Sequence, residues 1–147
     1  MLIDTHSHVH DVRFDSDRDE VIARARNAGV EVLITVGTDL ENSRAAVALA
    51  EQHSFIYATV GGHPHEAKDL TAEDLAGLSV LASHPRVVAY GEIGLDYYYD
   101  HSPRDIQRER FKDQLGIARA LDLPVVIHTR DAQEDTLAIL EEEWKDR

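Results

Sequence analysis

Five short, nearly unbroken apolar runs recur along the chain, at Met1–Thr5, Val30–Val36, Phe55–Val60, Val87–Tyr90 and Pro124–Ile127, and an amphipathic stretch follows each. A strand with one wet face alternates apolar and polar residues. A strand that is apolar at successive positions fits a parallel sheet covered on both faces.

The intervening stretches carry helix signals. The first spans about Asp17 to Ala28, with Val21, Ile22, Ala25 and Ala28 on one face and Gly29 as a C-terminal stop. The second runs from about Glu41 to His53, after Asp39 as a cap. The third starts at Thr71, with Asp74 placed for a capping box and an apolar stripe of Leu75, Leu78, Leu81 and Ala82. The fourth opens with Ser102 and Pro103, a favoured cap and first-turn pair, and continues through Ile106, Phe111, Leu115 and Ala118 towards Leu121. A fifth begins at Asp131, with Glu134 positioned to complete a cap. The pattern is five βα units, recurring at the ~30-residue size of such a unit. The expected fold class is α/β with a parallel sheet and right-handed crossovers. Periodicity alone leaves open a doubly wound sheet or part of a TIM-type (β/α)8 barrel, whose eight units need roughly 250 residues.

Composition narrows the chemistry. At 147 residues the chain suits one domain. It contains no apolar run near the roughly 20 residues of a membrane span and no secretory pattern at its start. It has no cysteine, which excludes disulfides, cysteine-held zinc and a thiol nucleophile, and fits a cytoplasmic protein. A net charge of −13 argues against a basic surface that coats nucleic acid. It leaves room for a nucleic-acid enzyme whose positive charge comes from bound divalent metals.

The chemically capable residues stand at strand ends, where α/β folds build their sites. The first run leads into Asp4-Thr5-His6-Ser7-His8. Residues two apart in an extended segment point to the same side, so His6 and His8 are candidates for one metal ion; the bland alternative is two turn histidines. The third run ends in Gly61-Gly62-His63-Pro64-His65-Glu66, a loop stiffened by Pro64. His63 and His65 there could orient a phosphate or carbonyl, move protons, bind metal, or simply decorate a rigid turn. The fourth leads to Gly91-Glu92-Ile93-Gly94-Leu95-Asp96, where Glu92 could bridge two metals with its two oxygens or be satisfied by a neighbouring cation. Asp96 reads as a partner of the site residues or as a turn cap. The fifth ends in His128-Thr129-Arg130, with His128 a further ligand candidate. Arg130 could hold a phosphate bidentately or pair with Asp96 or Glu92. Tyr97, Tyr98 and Tyr99 cannot all face a core; they pack at the rim or stack on a base or sugar at the site mouth. His10, His53, His84 and His101 read as solvated, His10 least securely because it continues the alternation of His6 and His8. No P-loop, dinucleotide glycine motif or serine nucleophile elbow occurs.

The set Asp4-Thr5-His6-Ser7-His8, Gly62-His63-Pro64-His65, Gly91-Glu92-Ile93-Gly94-Leu95-Asp96 and Ile127-His128-Thr129-Arg130 resembles the TatD-type metal-dependent deoxyribonucleases of the amidohydrolase superfamily. The resemblance implies a (β/α)8 barrel and two divalent metal ions (Mg, Mn or Zn). It implies His6 and His8 on one ion, His128 on the second and Glu92 bridging both as the catalytic carboxylate, with His63 and His65 near the substrate; Arg130 is taken beside them as a substrate contact on its own chemistry. The activity it implies is hydrolysis of phosphodiester bonds in DNA. Residues 1–147 are then expected to form a single metallohydrolase domain that stops after the fifth of eight units, without a later histidine and aspartate of the metal site. Such a chain is expected to be marginally stable, to self-associate through open sheet edges and to have little nuclease activity of its own. A metallohydrolase of a small ester or amide, and a non-catalytic piece that binds metal, are the alternatives.

Overall fold

The computed structural model describes residues 1–145. Strands β1 (Leu2–Ser7), β2 (Val30–Val36), β3 (Ile56–Val60), β4 (Val87–Asp96) and β5 (Val125–Arg130) form one parallel sheet. Helices α1 (Arg18–Asn27), α2 (Leu40–Gln52), α3 (Ala72–Ala82), α4 (Arg104–Ala120) and α5 (Gln133–Glu143) alternate with them. The strand order is β1-β2-β3-β4-β5, with no reversal. A doubly wound sheet changes direction at a switch point, so the sequential order decides for the barrel type, and the five strands curl into a half-barrel.

Most of the local signals act as read. The Asp39 side chain accepts from the Asn42 amide at 2.7 Å and starts α2. Thr71 and Asp74 form a reciprocal capping box on α3. Gly29 takes φ +95° just beyond α1, a left-handed conformation that glycine adopts without strain. Two caps differ. Ser102 does not cap α4; its fully buried hydroxyl accepts from the Lys68 amide at 3.0 Å and donates to the His65 carbonyl at 2.9 Å. The helix start is thereby tied to the loop after β3 instead. Helix α5 begins at Gln133, and neither Asp131 nor Glu134 caps it, because Asp131 turns the chain at φ +51° and Ala132 occupies the cap position.

The core lies between the sheet and the helices. Val36, Ile56, Ala58, Val60, Tyr90, Ile93 and Leu95 are buried from the strands, against Ala46, Leu78, Phe111 and Leu115 from the helices. Only the inner strands are covered on both faces. Strand β1, expected to be buried, is exposed along its length, with Leu2 54% and Ile3 45% accessible, because it is the sheet edge and pairs only with β2 among the described residues.

Strand β4 is longer than its apolar run. It continues past Tyr90 to Asp96 and carries Glu92 within the strand. Gly91 (φ +145°) and Gly94 (φ +141°) look like breaks in sequence but serve close approach. A Cβ on Gly91 would run into the Val126 carbonyl, and one on Gly94 into the His128 carbonyl. The glycines let β4 lie tightly against β5, which sets Gly94 opposite His128 and Asp96 opposite Arg130.

Candidate metal centre

The carboxyl ends of the strands converge on a cleft of about 570 Å³, lined by His6, His8, Arg13, Thr38, His63, His65, Glu66, Glu92, His128 and Arg130. His6, His8, His63, His65, Glu92, His128 and Arg130, the metal and phosphate candidates named from the sequence, all border this one cleft.

Glu92, nearly buried, faces two histidine groups with its two oxygens. Oε2 lies 3.3 Å from Nε2 of His6. Oε1 lies 3.0 Å from Nδ1 of His128 and 3.9 Å from Nε2 of His63. Two clusters of ligand atoms result, His6/His8/Glu92 and His63/Glu92/His128, each within 4.8 Å. The ring of His8 is fixed because its Nδ1–H donates to the Val36 carbonyl at 2.8 Å, which leaves Nε2 as a lone pair.

The second cluster is crowded in a way protons alone do not resolve. Nε2 of His63 is 3.1 Å from Nδ1 of His128, and Nδ1 of His63 accepts from the His65 amide at 3.2 Å. With a proton on His128 Nδ1, Glu92 is satisfied. His63 must then present a lone pair to His128 and a proton to the His65 amide, which is itself a donor. With the proton on His63 Nε2, both His63 contacts are satisfied, and a bare His128 nitrogen faces the Glu92 carboxylate. A cation between Glu92 and His128 removes the conflict, so the donor set fits a divalent metal.

Asp96 organises the rear of the site. It is fully buried, and its Oδ2 accepts from Nε2 of His65 and Nε2 of His128, both at 2.9 Å. Its Oδ1 accepts from the amides of Tyr98 and Tyr99 at 3.1 and 2.9 Å. It is therefore both a partner of site histidines and a turn cap. Burial works to raise its pKa, yet the Tyr99 amide and the two imidazoles hold it well below the usual carboxylate range. Glu92 behaves alike: burial pushes up, but the hydrogen bond from His128 and the neighbouring His63 and His6 hold it down. For His128, burial lowers the pKa and the bonds to Glu92 and Asp96 outweigh it, a net rise. Burial and the adjacent His128 drive His63 down to about 3.

Arg130 stands 4.0 Å from Asp96, too long for a close ion pair, and its guanidinium lies over the Tyr99 ring at 5.1 Å. His10, read as solvated, is buried. Its Nδ1 lies 2.6 Å from Thr35 Oγ1 and its Nε2 2.8 Å from Asn42 Oδ1, and burial lowers its pKa. The same Asn42 oxygen accepts from the Thr38 amide at 3.0 Å, and the Thr38 carbonyl accepts from the His63 amide at 2.7 Å. His53 and His84 are half-buried, with His84 against Glu51 at 3.2 Å, and His101 stacks on Tyr99.

Two buried glutamines were missed in the sequence. From α4, Gln107 accepts from the Asp96 amide at 2.8 Å and donates to the Asp96 carbonyl at 3.1 Å. One stretch further, Gln114 accepts from the Gly62 amide at 2.7 Å and donates to the Gly62 carbonyl at 3.0 Å. They stand seven apart on the face of Phe111, Leu115 and Ala118, and polar residues on an apolar stripe were the available signal.

A model of TatD-related DNases matches residues 3–147. The chain belongs to this family. It is 48% identical over 143 residues to the uncharacterized metal-dependent hydrolase YabD of Bacillus subtilis, covering 97% of this chain and 56% of that protein. It is 47% identical over 135 residues to the 3'-5' ssDNA/RNA exonuclease TatD of Cronobacter turicensis, covering 92% and 51%. The crystal structure of YjjV, a TatD homologue from Escherichia coli, superposes with a TM-score of 0.90 at 33% identity, over 97% of this chain and 56% of that one. The chain spans about half the length of the curated TatD relatives it matches. No described helix is long and apolar enough to cross a membrane.

Proposed function

We propose that the chain carries a two-metal site for hydrolysing phosphodiester bonds in DNA, with His6 and His8 on one ion, His128 on the other and Glu92 shared. The observation that carries this is the division of Glu92, one oxygen towards His6 and the other towards His128. Two divalent ions (Mg, Mn or Zn) supply, when bound, a water of lowered pKa and positive charge against the phosphate.

The chain's own groups do the rest. Glu92 would hold both ions and lend them its negative charge. Asp96 takes the Nε2–H of His128, so Nδ1 is the nitrogen that would hold an ion. His63 keeps its Nδ1 as acceptor for the His65 amide, so its neutral ring carries the proton on Nε2 and donates to a phosphate oxygen. His65 lines the substrate side with Nε2 committed to Asp96. Arg130, without a close carboxylate, grips a phosphate with its guanidinium fork. We place the protein in the cytoplasm, and its exposed edge strand β1 offers a surface for self-association.

The test is metal stoichiometry and cleavage of a single-stranded DNA oligonucleotide with added manganese. The parent chain is expected to bind metal and to cleave slowly, and Glu92→Gln to bind fewer ions, with hydrolysis falling in step. Equal stoichiometry in parent and Glu92→Gln would refute the shared-ligand assignment, and the absence of any cleavage by the parent would refute the activity for this chain.

A further inference from the structure

Beside the metal cleft the chain turns outward through Tyr97, Tyr98 and Tyr99, and the three rings part company. Tyr97 is tied down: its hydroxyl donates to Asp135 at 2.6 Å, and Arg104 covers its ring. Tyr98 and Tyr99 are 64% and 50% exposed, and among the described residues neither hydroxyl has a hydrogen-bond partner. Large rings left open to water on a single turn are not explained by core packing.

The turn that presents them is rigid. Asp96 Oδ1 holds both of their amides, while its other oxygen holds His65 and His128. The Tyr99 ring centroid is 5.5 Å from that of His65, and His65 is 6.1 Å from His128. His101 stacks on Tyr99 at 5.6 Å with the planes 6° apart, and Arg130 covers it at 5.1 Å. An aromatic surface with a cation over one of its rings is thus fixed to the carboxylate that orients the site histidines. Glu66 also borders a second groove, where Asp39, Glu41, Glu66, Asp69 and Asp74 outnumber its one arginine, Arg44, and this net negative charge repels a phosphate backbone. Charge therefore favours a path for a polyanion over Arg130 and the tyrosines rather than along that groove.

We propose that Tyr98, Tyr99 and His101 form a stacking platform for unpaired nucleobases of a single-stranded nucleic acid whose backbone reaches the metal cleft past Arg130. The proposal rests on the phosphodiesterase reading. Stacking is tolerant of base identity, and a base in a duplex has its faces occupied, so the platform selects single strands without selecting sequence.

The experiment titrates the full chain, with manganese, into an eight-nucleotide single-stranded DNA carrying 2-aminopurine at each position in turn, and follows fluorescence, affinity and cleavage. The parent and Tyr99→Phe are expected to quench the probe at one or two adjacent positions. Tyr99→Ala should lose that quench and bind about tenfold more weakly or worse, with an unchanged melting curve, and an abasic nucleotide at the same position should weaken the parent alike. A blunt duplex should not compete. Cleavage or binding with a quench unaffected by Tyr99→Ala overturns the platform and leaves the phosphodiesterase reading standing. Neither binding nor cleavage by the parent overturns both. If Tyr98→Ala and Tyr99→Ala instead turn a dimer into a monomer without altering the quench, the surface joins two copies of the chain and the platform is overturned.

Discussion

Nε2 of His128 lies 2.9 Å from Oδ2 of Asp96. This contact fixes which imidazole nitrogen faces the cleft, because an Nε2–H engaged by a buried carboxylate leaves Nδ1 turned towards Glu92. The same oxygen also takes the Nε2–H of His65, and its partner oxygen holds the tyrosine turn. One side chain thereby sets the tautomer of a candidate ligand and the geometry of the cleft wall.

Asp96→Asn tests this directly. The amide keeps the size of the side chain and removes the charge that holds the two imidazoles. Manganese or zinc affinity is expected to fall about 10- to 100-fold, the usual cost of losing such a supporting partner, while circular dichroism shows a folded chain. Parental affinity in isothermal titration would mean that His128 is oriented by something else.

The buried glutamines of α4 carry a stability prediction. Gln114→Leu preserves bulk but strands the amide and carbonyl of Gly62, whose partners are both on that side chain. A buried polar group left unpaired costs about 1–3 kcal/mol, so a loss of about 2–4 kcal/mol is expected in urea unfolding. A change under about 0.5 kcal/mol, the level of an ordinary surface substitution, would show that another group takes over Gly62.

Much of this was legible in the sequence because it depends on local rules. Strand alternation placed His6 and His8 together, and the capping patterns at Asp39 and Thr71 marked their helix starts correctly. The end of β4 was not legible, since the apolar run stops at Tyr90 and the strand continues to Asp96 only because β5 lies close alongside Gly91 and Gly94. Gln107, Gln114, Ser102 and His10 were missed or misread for a related reason. Each is polar by itself and becomes a buried bracket only through a partner 5 to 52 residues away. The exposure of β1 is likewise set by which strands flank it, and no residue of Leu2–Ser7 records that.

The tyrosine hydroxyl at position 90 offers a gain in stability. Tyr90 is fully buried and its hydroxyl has no hydrogen-bond partner among the described residues. Burial accordingly drives its pKa upward. Removing an unsatisfied polar atom from the core recovers its desolvation cost, so Tyr90→Phe is expected to stabilise the chain by about 1 kcal/mol. A lower melting temperature would mean the hydroxyl is paired in solution.

The histidines make the metal-free fold sensitive to acid in a defined direction. His10 and His63 have folded pKa values below the ordinary 6.5, His63 at about 3, both chiefly through burial. As pH falls below about 6.5 the unfolded chain takes up these protons first, so their contribution to stability is whole above that value and shrinks towards pH 3. Glu92 and Asp96, held low, act in the same sense at still lower pH, contributing above their unfolded values near 4. His128 opposes them. Its folded pKa is raised, so its contribution is whole below 6.5 and is lost as pH climbs through the folded value. Two lowered histidines against one raised predict a melting temperature in a chelator that drops between pH 7 and pH 5. His10→Gln supplies an amide in place of the ring and removes one of the titrating groups, so its melting curve should depend less steeply on pH over that interval. An identical slope in the variant would show that His10 takes up its proton without cost to the fold.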